Sequence, residues 1–160
     1  MAVDMFLMIE GVDGESQDEA HADEIDILTY SFGASNSGTA HMGGGAGAGK
    51  VSVQDLSITK YVDKATPNLF LFCCNGKHVP ECVLVVRKAG EDPLEYIKMT
   101  MTDCLITAVV TSAAQGQERL TENVSINFAK FELEYTPQTA EGAGEAPVIM
   151  GWDIAKNVKV

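Results

Sequence analysis

Positive charge is scarce in this chain and unevenly placed. Eleven Lys or Arg stand against 23 Asp or Glu, a formal net charge of −12, and the first 49 residues hold no Lys or Arg beside nine carboxylates. That stretch alone carries −9 and leaves −3 for the other 111 residues. With no local basic patch to override such a field, binding to nucleic acid is disfavoured, because phosphate backbones are repelled by charge of their own sign. A long hydrophobic run is also lacking, so no membrane insertion is expected. The opening MAVDMFLMIEG has no basic region, and Asp4 and Glu10 break its apolar run, so no Sec-type signal is read there. Cysteine is sparse. Cys73, Cys74, Cys82 and Cys104 lack the density of a disulfide scaffold and read as reduced thiols of a cytoplasmically made protein.

What is present is enough apolar material for one compact domain. The 160 residues are 46% apolar, and a chain of this length buries roughly 70% of its unfolded surface. Alternation dominates. In EYIKMTMT, Ile97, Met99 and Met101 share one face while Lys98, Thr100 and Thr102 share the other, the period of a half-buried strand. Similar strands are expected around Met5–Ile9, Ile25–Ser35, Val51–Val62, Cys82–Lys88, Cys104–Thr111 and Asn123–Tyr135. Two of them change phase. Val124, Ile126 and Phe128 are even-numbered and Phe131, Leu133 and Tyr135 odd, with the break at Ala129-Lys130; Val51 and Val53 give way to Leu56 and Ile58 across Gln54-Asp55. Short strands of this kind suggest an antiparallel sandwich or barrel, and flips that move a strand round a barrel corner or between two sheets favour a barrel over a flat sheet, so the expected fold is mainly β. Eight of the nine early carboxylates lie between Glu10 and Asp26, where no apolar periodicity survives, and this segment reads as a solvated loop.

One α-helix is predicted at about residues 66–75. Thr66 serves as cap, Pro67 fits the first helical position, and Gly76 after Asn75 stops the helix. Its middle, Leu69-Phe70-Leu71-Phe72-Cys73-Cys74, is apolar on every face, so its outer side wants cover from a loop or another copy of the chain.

Chemistry-bearing patterns fail one by one. Gly44 to Lys50 meets the GxxxxGK spacing of a phosphate-binding loop, but Val51 stands where Ser or Thr must ligate magnesium, and an alternating strand follows where a helix is required. A nucleotide-binding enzyme using that loop is therefore the distant alternative to a long flexible glycine loop. Cys73, Cys74, His78 and Cys82 lack the CxxC pair of a zinc site. Asp13, Glu15, Gln17 and Glu24 sit at calcium-loop offsets, but Asp18 occupies the position that needs glycine. No GxSxG elbow is present, His21, His41 and His78 lack a neighbouring nucleophile, and Glu132 and Glu134 form a solvated stripe on one strand face. The expected protein acts through surfaces, with no catalytic residue, cofactor or metal.

Longer motifs then carry a resemblance. MAVDMF, GES at 14–16, HADEIDIL, the run to HMGGGAGAGK, VQDLSITKYVDKATPNL, GKH at 76–78, VRKAGEDPLEY, RLTENVSINFAKFELEY and GWDIAKNVKV together resemble the haemolysin-coregulated protein (Hcp) family, essentially end to end. The family supplies the tube of bacterial type VI secretion. The resemblance implies a small β-barrel of two antiparallel sheets with one α-helix, a single domain over 1–160 with an extended glycine-rich loop at about 35–50, assembled as a homo-hexamer with an open lumen. Rings would stack into a tube inside the sheath. That tube would form in the cytoplasm and leave with the spike proteins, carrying small effector proteins in its lumen. It further implies subunit or ring contacts at Ser35, His41, Met42, Gly43, Gly44, Gly45 and Lys50, at Gly90, Glu91 and Asp92, and at Lys156, Asn157 and Val158. Ser31 matches a lumen position that meets cargo, here flanked by Tyr30 and Phe32 where relatives often carry Trp. The over-apolar helix adds Leu69, Phe70 and Phe72 as subunit contacts. Six copies multiply −12 to about −72, so ring contacts must rest on apolar and backbone groups, with the acid of 10–26 facing solvent.

Overall fold

A computed structural model describes residues 2–38 and 48–160. In chain order the elements are β1 (Val3–Ile9), β2 (Ile25–Asp26), β3 (Thr29–Ser31), β4 (Ala34–Gly38), β5 (Ala48–Val53), β6 (Leu56–Tyr61), α1 (Thr66–Asn75), β7 (His78–Lys88), β8 (Glu95–Ser112), β9 (Thr121–Tyr135), β10 (Val148–Asp153) and β11 (Val158–Lys159). All strand pairings are antiparallel. The main sheet runs β11-β10-β9-β8-β7-β1-β2, with β6 on β9 and β3 on β6, and β4 with β5 makes a separate two-stranded sheet. The mainly β, two-sheet expectation is met, but the ladder does not close into an unbroken ring. Residues 25–31 pair with β1 at their start and β6 at their end, and between them Ile27 N–H donates to Met5 O and Leu28 N–H to Thr59 O.

Both predicted phase flips fall where a strand changes partners. β9 pairs with β6 as far as Ile126 and with β10 from Lys130. The intervening Ala129 carbonyl leaves that pattern and accepts from the amides of Ile154 and Ala155. Across Gln54-Asp55 the chain passes from the small sheet, in β5, to the main sheet, in β6. A third flip separates buried Met99 and Met101 from buried Cys104 and Ile106 within β8. It is made at Asp103, whose φ of 55° is the left-handed conformation that Asp tolerates better than most residues. The segments expected as two strands there are one strand bent at that residue.

Leu7, Ile25, Leu56, Ile58, Leu69, Leu84, Met99 and Ile126 are among the side chains that fill the core. Helix α1 lies on it by Leu69, fully buried, and Phe72, 7% exposed, leaving Leu71 54% exposed. This corrects the sequence expectation for Leu69 and Phe72 as subunit contacts: a helix apolar on every face has no readable phase, and these two face inward. Phe70 is half-buried. Truncating Leu69 to Ala would cost about 2–5 kcal/mol, the ordinary range for a buried leucine.

The start of α1 is also corrected by one residue. Ala65 occupies the cap position without a side-chain cap, and Thr66 is the first helical residue. The Thr66 hydroxyl instead donates to Glu122 Oε1 at 2.8 Å and accepts from the Asp63 amide at 3.2 Å. Lys60 Nζ completes this cluster, donating to Asp63 Oδ1 at 2.8 Å and Glu122 Oε2 at 3.2 Å. Lys60 and Glu122 side chains are both fully buried, so β6, β9 and the helix start are tied through one dry ionic cluster. Gly76, φ 64°, ends the helix in the left-handed conformation that the sequence leads one to expect.

The acidic segment 10–26 is not the plain solvated loop expected. Val12, Ser16, His21 and Ile25 are buried, because the segment folds back on itself and is pinned to the outer face of β1 and β7. Gly14 N–H donates to Asp23 O, Ser16 N–H to Glu24 O and Asp23 N–H to Ser16 O. Asp18 takes a two-pronged bond from Arg87, at 3.0 and 2.6 Å. Its anchoring residues are isolated among charges, which is why no period betrayed them. Most of its carboxylates are exposed all the same.

Candidate functional site

The β4–β5 ribbon is built from Ala, Ser, Asn, Gly and Val. Ser35 pairs with Ser52 and Asn36 with Val51, an irregularity follows before Gly38, and Asn36 Nδ2 donates to Gly49 O at 2.6 Å. No residue of β4 is buried. Beside the ribbon runs β10, whose outer edge is covered over residues 151–153, where β11 pairs with Trp152 and Asp153 and the Val160 amide donates to Gly151 O. Val148, Ile149 and Met150 are 67%, 53% and 44% exposed.

Between ribbon and β10 lies a cleft of about 510 Å³, lined by Val51, Val53, Phe131, Met150, Trp152 and Asn157 among others. Its walls are chiefly apolar. Trp152 Nε1 is buried with no hydrogen-bond partner among the described residues, and Asn157 holds a left-handed φ of 57° in the turn between β10 and β11. An apolar recess with an unsatisfied N–H donor suits a chain segment that brings apolar side chains and a carbonyl oxygen. Among the described residues, no titratable group capable of acid–base work lines it.

The structure gathers some of the expected contact residues and separates others. Ser35 and Lys50 lie on the ribbon, both exposed, and Asn157 lines the cleft between Lys156 and Val158. Lys156 N–H donates to Asp153 Oδ1, fixing that turn. Ser31 ends β3, exposed, opposite Ser57 of β6. Beside it Phe32 packs edge-on against Phe131, with centroids 5.3 Å apart. Gly90, Glu91 and Asp92 belong to a different place, the turn after β7, where the Lys88 amide donates to Leu94 O and the Ala89 amide to Ala2 O. Gly90 has φ 133°, a conformation other residues rarely adopt. His41, Met42, Gly43, Gly44 and Gly45 lie outside the described residues. Sequence reasoning missed β10 altogether, although the apolar VIMGW after Pro147 and the lone Trp were the available signal.

Electrostatics elsewhere is structural. The Arg87 guanidinium holds the Asp18 carboxyl down to about 2, and its own affinity for a proton rises in return. Burial, then the nearby Asp63, Asp4 and Asp18, push Asp26 above the usual carboxylate range. A side-chain hydrogen bond with Cys104, followed by burial, raises the Cys82 thiol, so it stays protonated. All four cysteines are free. Among the described residues no three His, Cys, Asp or Glu side chains converge to hold a metal ion, and no helix is long and apolar enough to cross a membrane. Ala48, Gly49 and Lys50 form strand, so the phosphate-loop spacing leads into β5 and not into a helix.

Against known proteins, residues 6–135 match the family described as "Type VI secretion system effector, Hcp". The chain is 54% identical over 161 residues to "Protein hcp1" of Pseudomonas aeruginosa, with 99% of each covered. Among solved structures it is similar to Hcp1 from Salmonella typhimurium, 38% identical with a TM-score of 0.83 and both chains wholly covered. A structure of a type six secretion system protein is 27% identical over 99% of this chain and 100% of its own, with a TM-score of 0.94. The match of fold, of nearly full length and of sequence together means that this chain belongs to the Hcp family of type VI secretion proteins.

Proposed function

We propose that this chain is a structural subunit of the type VI secretion inner tube. Its 160 residues act as one tube-protein domain, with the glycine-rich segment at about 35–50 as an extension. Six copies form a ring with an open lumen. Rings stack inside the sheath in the cytoplasm, leave the cell with the spike proteins, and carry small effector proteins in the lumen. The observation that carries this reading is the 54% identity to the Pseudomonas aeruginosa protein across 99% of both chains. The exposed apolar edge of β10 beside the cleft supports it, since contiguous apolar surface with unpaired strand edge suits contact with another copy.

Ring formation is tested by native mass spectrometry and electron microscopy of the purified chain. A species six times the 17.1-kDa chain, with a visible hole, is expected, and a monomer at micromolar concentration overturns the proposal. Deleting His41–Gly49 should keep ring mass and abolish stacked tubes; intact tubes would remove that segment from the ring contacts. Ser31→Gln should lower co-purification of a cognate effector at unchanged ring mass, and undiminished effector would remove Ser31 from the cargo surface.

A further inference from the structure

The segment 10–26 is fastened to the barrel by a histidine in an environment that a neutral ring does not satisfy. His21 is 7% exposed and stacks on Phe6 of β1, with centroids 4.4 Å apart. Its Nδ1 lies 2.9 Å from Glu24 Oε2 and its Nε2 3.0 Å from Glu95 Oε1. A neutral imidazole carries a single N–H and can donate to one carboxylate only, leaving a lone pair turned on the other at hydrogen-bond distance. The imidazolium donates to both. Glu24 belongs to the segment and Glu95 begins β8, so the doubly protonated ring bridges the two.

The other charges around this ring come from each element packed against it. Lys98 of β8 lines the same recess, together with Met8, Val83 and Val85. Arg87 of β7 stands 5.0 Å from the Phe6 ring and is bonded to Asp18 of the segment and Asp4 of β1. Arg87 is therefore committed to its own carboxylates, and among the described residues Lys98 makes no ion pair with Glu24 or Glu95, which leaves His21 as the cation between them.

We propose that His21 is a proton-operated latch. As imidazolium it fastens residues 10–26 over the outer face of β1, β7 and β8. Only the bond to Glu95 crosses from the segment to β8, so a ring that loses its Nε2 proton keeps Glu24 within the segment and releases Glu95, and the segment lifts to bare the apolar strip of Phe6, Met8, Val83 and Val85. The closed form holds one more proton than the open form, so rising pH favours opening. The same latch needs Glu24 and Glu95 as carboxylates, because a protonated carboxyl no longer accepts both bonds from the ring.

Hydrogen exchange on the full-length protein tests this. Opening in this proposal also loses the folded-back form of the segment, so the amides of Gly14, Ser16 and Asp23, bonded to carbonyls within it, report opening. The β8–β9 ladder is the internal control. After correction for intrinsic exchange rates, protection of the three amides should fall about tenfold from pH 5.5 to 8.5 while the control stays constant. His21→Gln should exchange these amides faster at both pH values with no pH step. Constant protection in the parent protein, or the same step in His21→Gln, overturns the latch. Should that variant not fold, ring nitrogen spectra of the parent protein decide: two protonated nitrogens on His21 at pH 6 support the proposal, and a neutral tautomer there overturns it.

Discussion

The ionic cluster of Lys60 and that of Arg87 differ in how much water reaches them. At the start of α1, Lys60 and Glu122 are wholly buried and every polar atom of the pair has a partner. On the outer face of β1 and β7, Arg87 is 11% exposed by side chain but its acceptors Asp18 and Asp4 are 26% and 45% exposed. The chemistry is alike, a cation between two carboxylates. What differs is the cost of breaking it: a buried charge left without its partner has no solvent to turn to, whereas a surface carboxylate is rescued by water. The first cluster therefore belongs to the global fold, and the second governs one local segment.

The comparison can be broken most severely at Glu122. Glu122→Ala strands Lys60 in the core and should cost about 3–5 kcal/mol, lowering Tm by about 6–20 °C in a scanning calorimeter. Lys60→Met combined with Glu122→Leu should recover most of that loss, because it removes both charges together. A Glu122→Ala protein that melts like the parent would mean the cluster is hydrated and the contrast false.

A smaller effect is expected at Asp18. Its carboxyl is held near 2 in the folded chain by Arg87, below the ordinary carboxylate value. A depressed acid contributes stability that is present above about pH 4 and is lost as pH falls toward 2. Acidification through that window should therefore free residues 10–26, read as trypsin-independent cleavage by an acid protease within the segment, before the near-ultraviolet signal of the core changes. Asp18→Asn should expose the segment at neutral pH, read as cleavage there by a glutamate-specific protease, with little change in Tm. If the core melts together with the segment, the two clusters are one cooperative unit.

The smallest effect has the opposite sign. Asp26 is disfavoured as an anion by burial and by Asp63, Asp4 and Asp18, so ionising it costs more in the folded than in the unfolded chain. Its penalty is absent at low pH and grows as pH rises through the carboxylate range. Asp26→Asn should then raise Tm at pH 7, by no more than about 2 °C, and leave it unchanged near pH 3. A lower Tm at pH 7 would show that Asp26 makes a favourable contact.

The antiparallel strands were legible where burial alternates. Met99 and Met101, Val124 and Ile126, and Leu56 and Ile58 each announce a face, and the two flips in phase announced where β9 and the β5–β6 segment change partners. Gly76 announced the helix end. Other features carry no periodic signature. His21, Ser16 and Val12 anchor residues 10–26 through single contacts spaced irregularly among carboxylates, so composition pointed to solvent where the chain is partly packed. In α1 an unbroken apolar run hid which of Leu69, Phe70, Leu71 and Phe72 faces the core. β10 was missed because its wall of the cleft is exposed on both sides of the alternation, from Val148 to Met150, and resembles a loop until β9 is seen to pair with it. The cleft itself needs strands about a hundred residues apart, which no local pattern encodes.

The pairing of β1 also sets a timetable. Val3 to Ile9 pairs with Lys88 to Cys82, so the first strand made has its principal neighbour some eighty residues away. A ribosome adding 5–20 residues per second leaves that strand without its mate for about 4–16 s. During that interval MFLMI is an apolar stretch of the kind that sticks to other nascent chains, and eight carboxylates follow directly behind it between Glu10 and Asp26. Like-charge repulsion among neighbouring nascent chains makes those residues a gatekeeper for the newborn protein. The one-sided charge of the first 49 residues thus protects the strand before the barrel exists to shelter it.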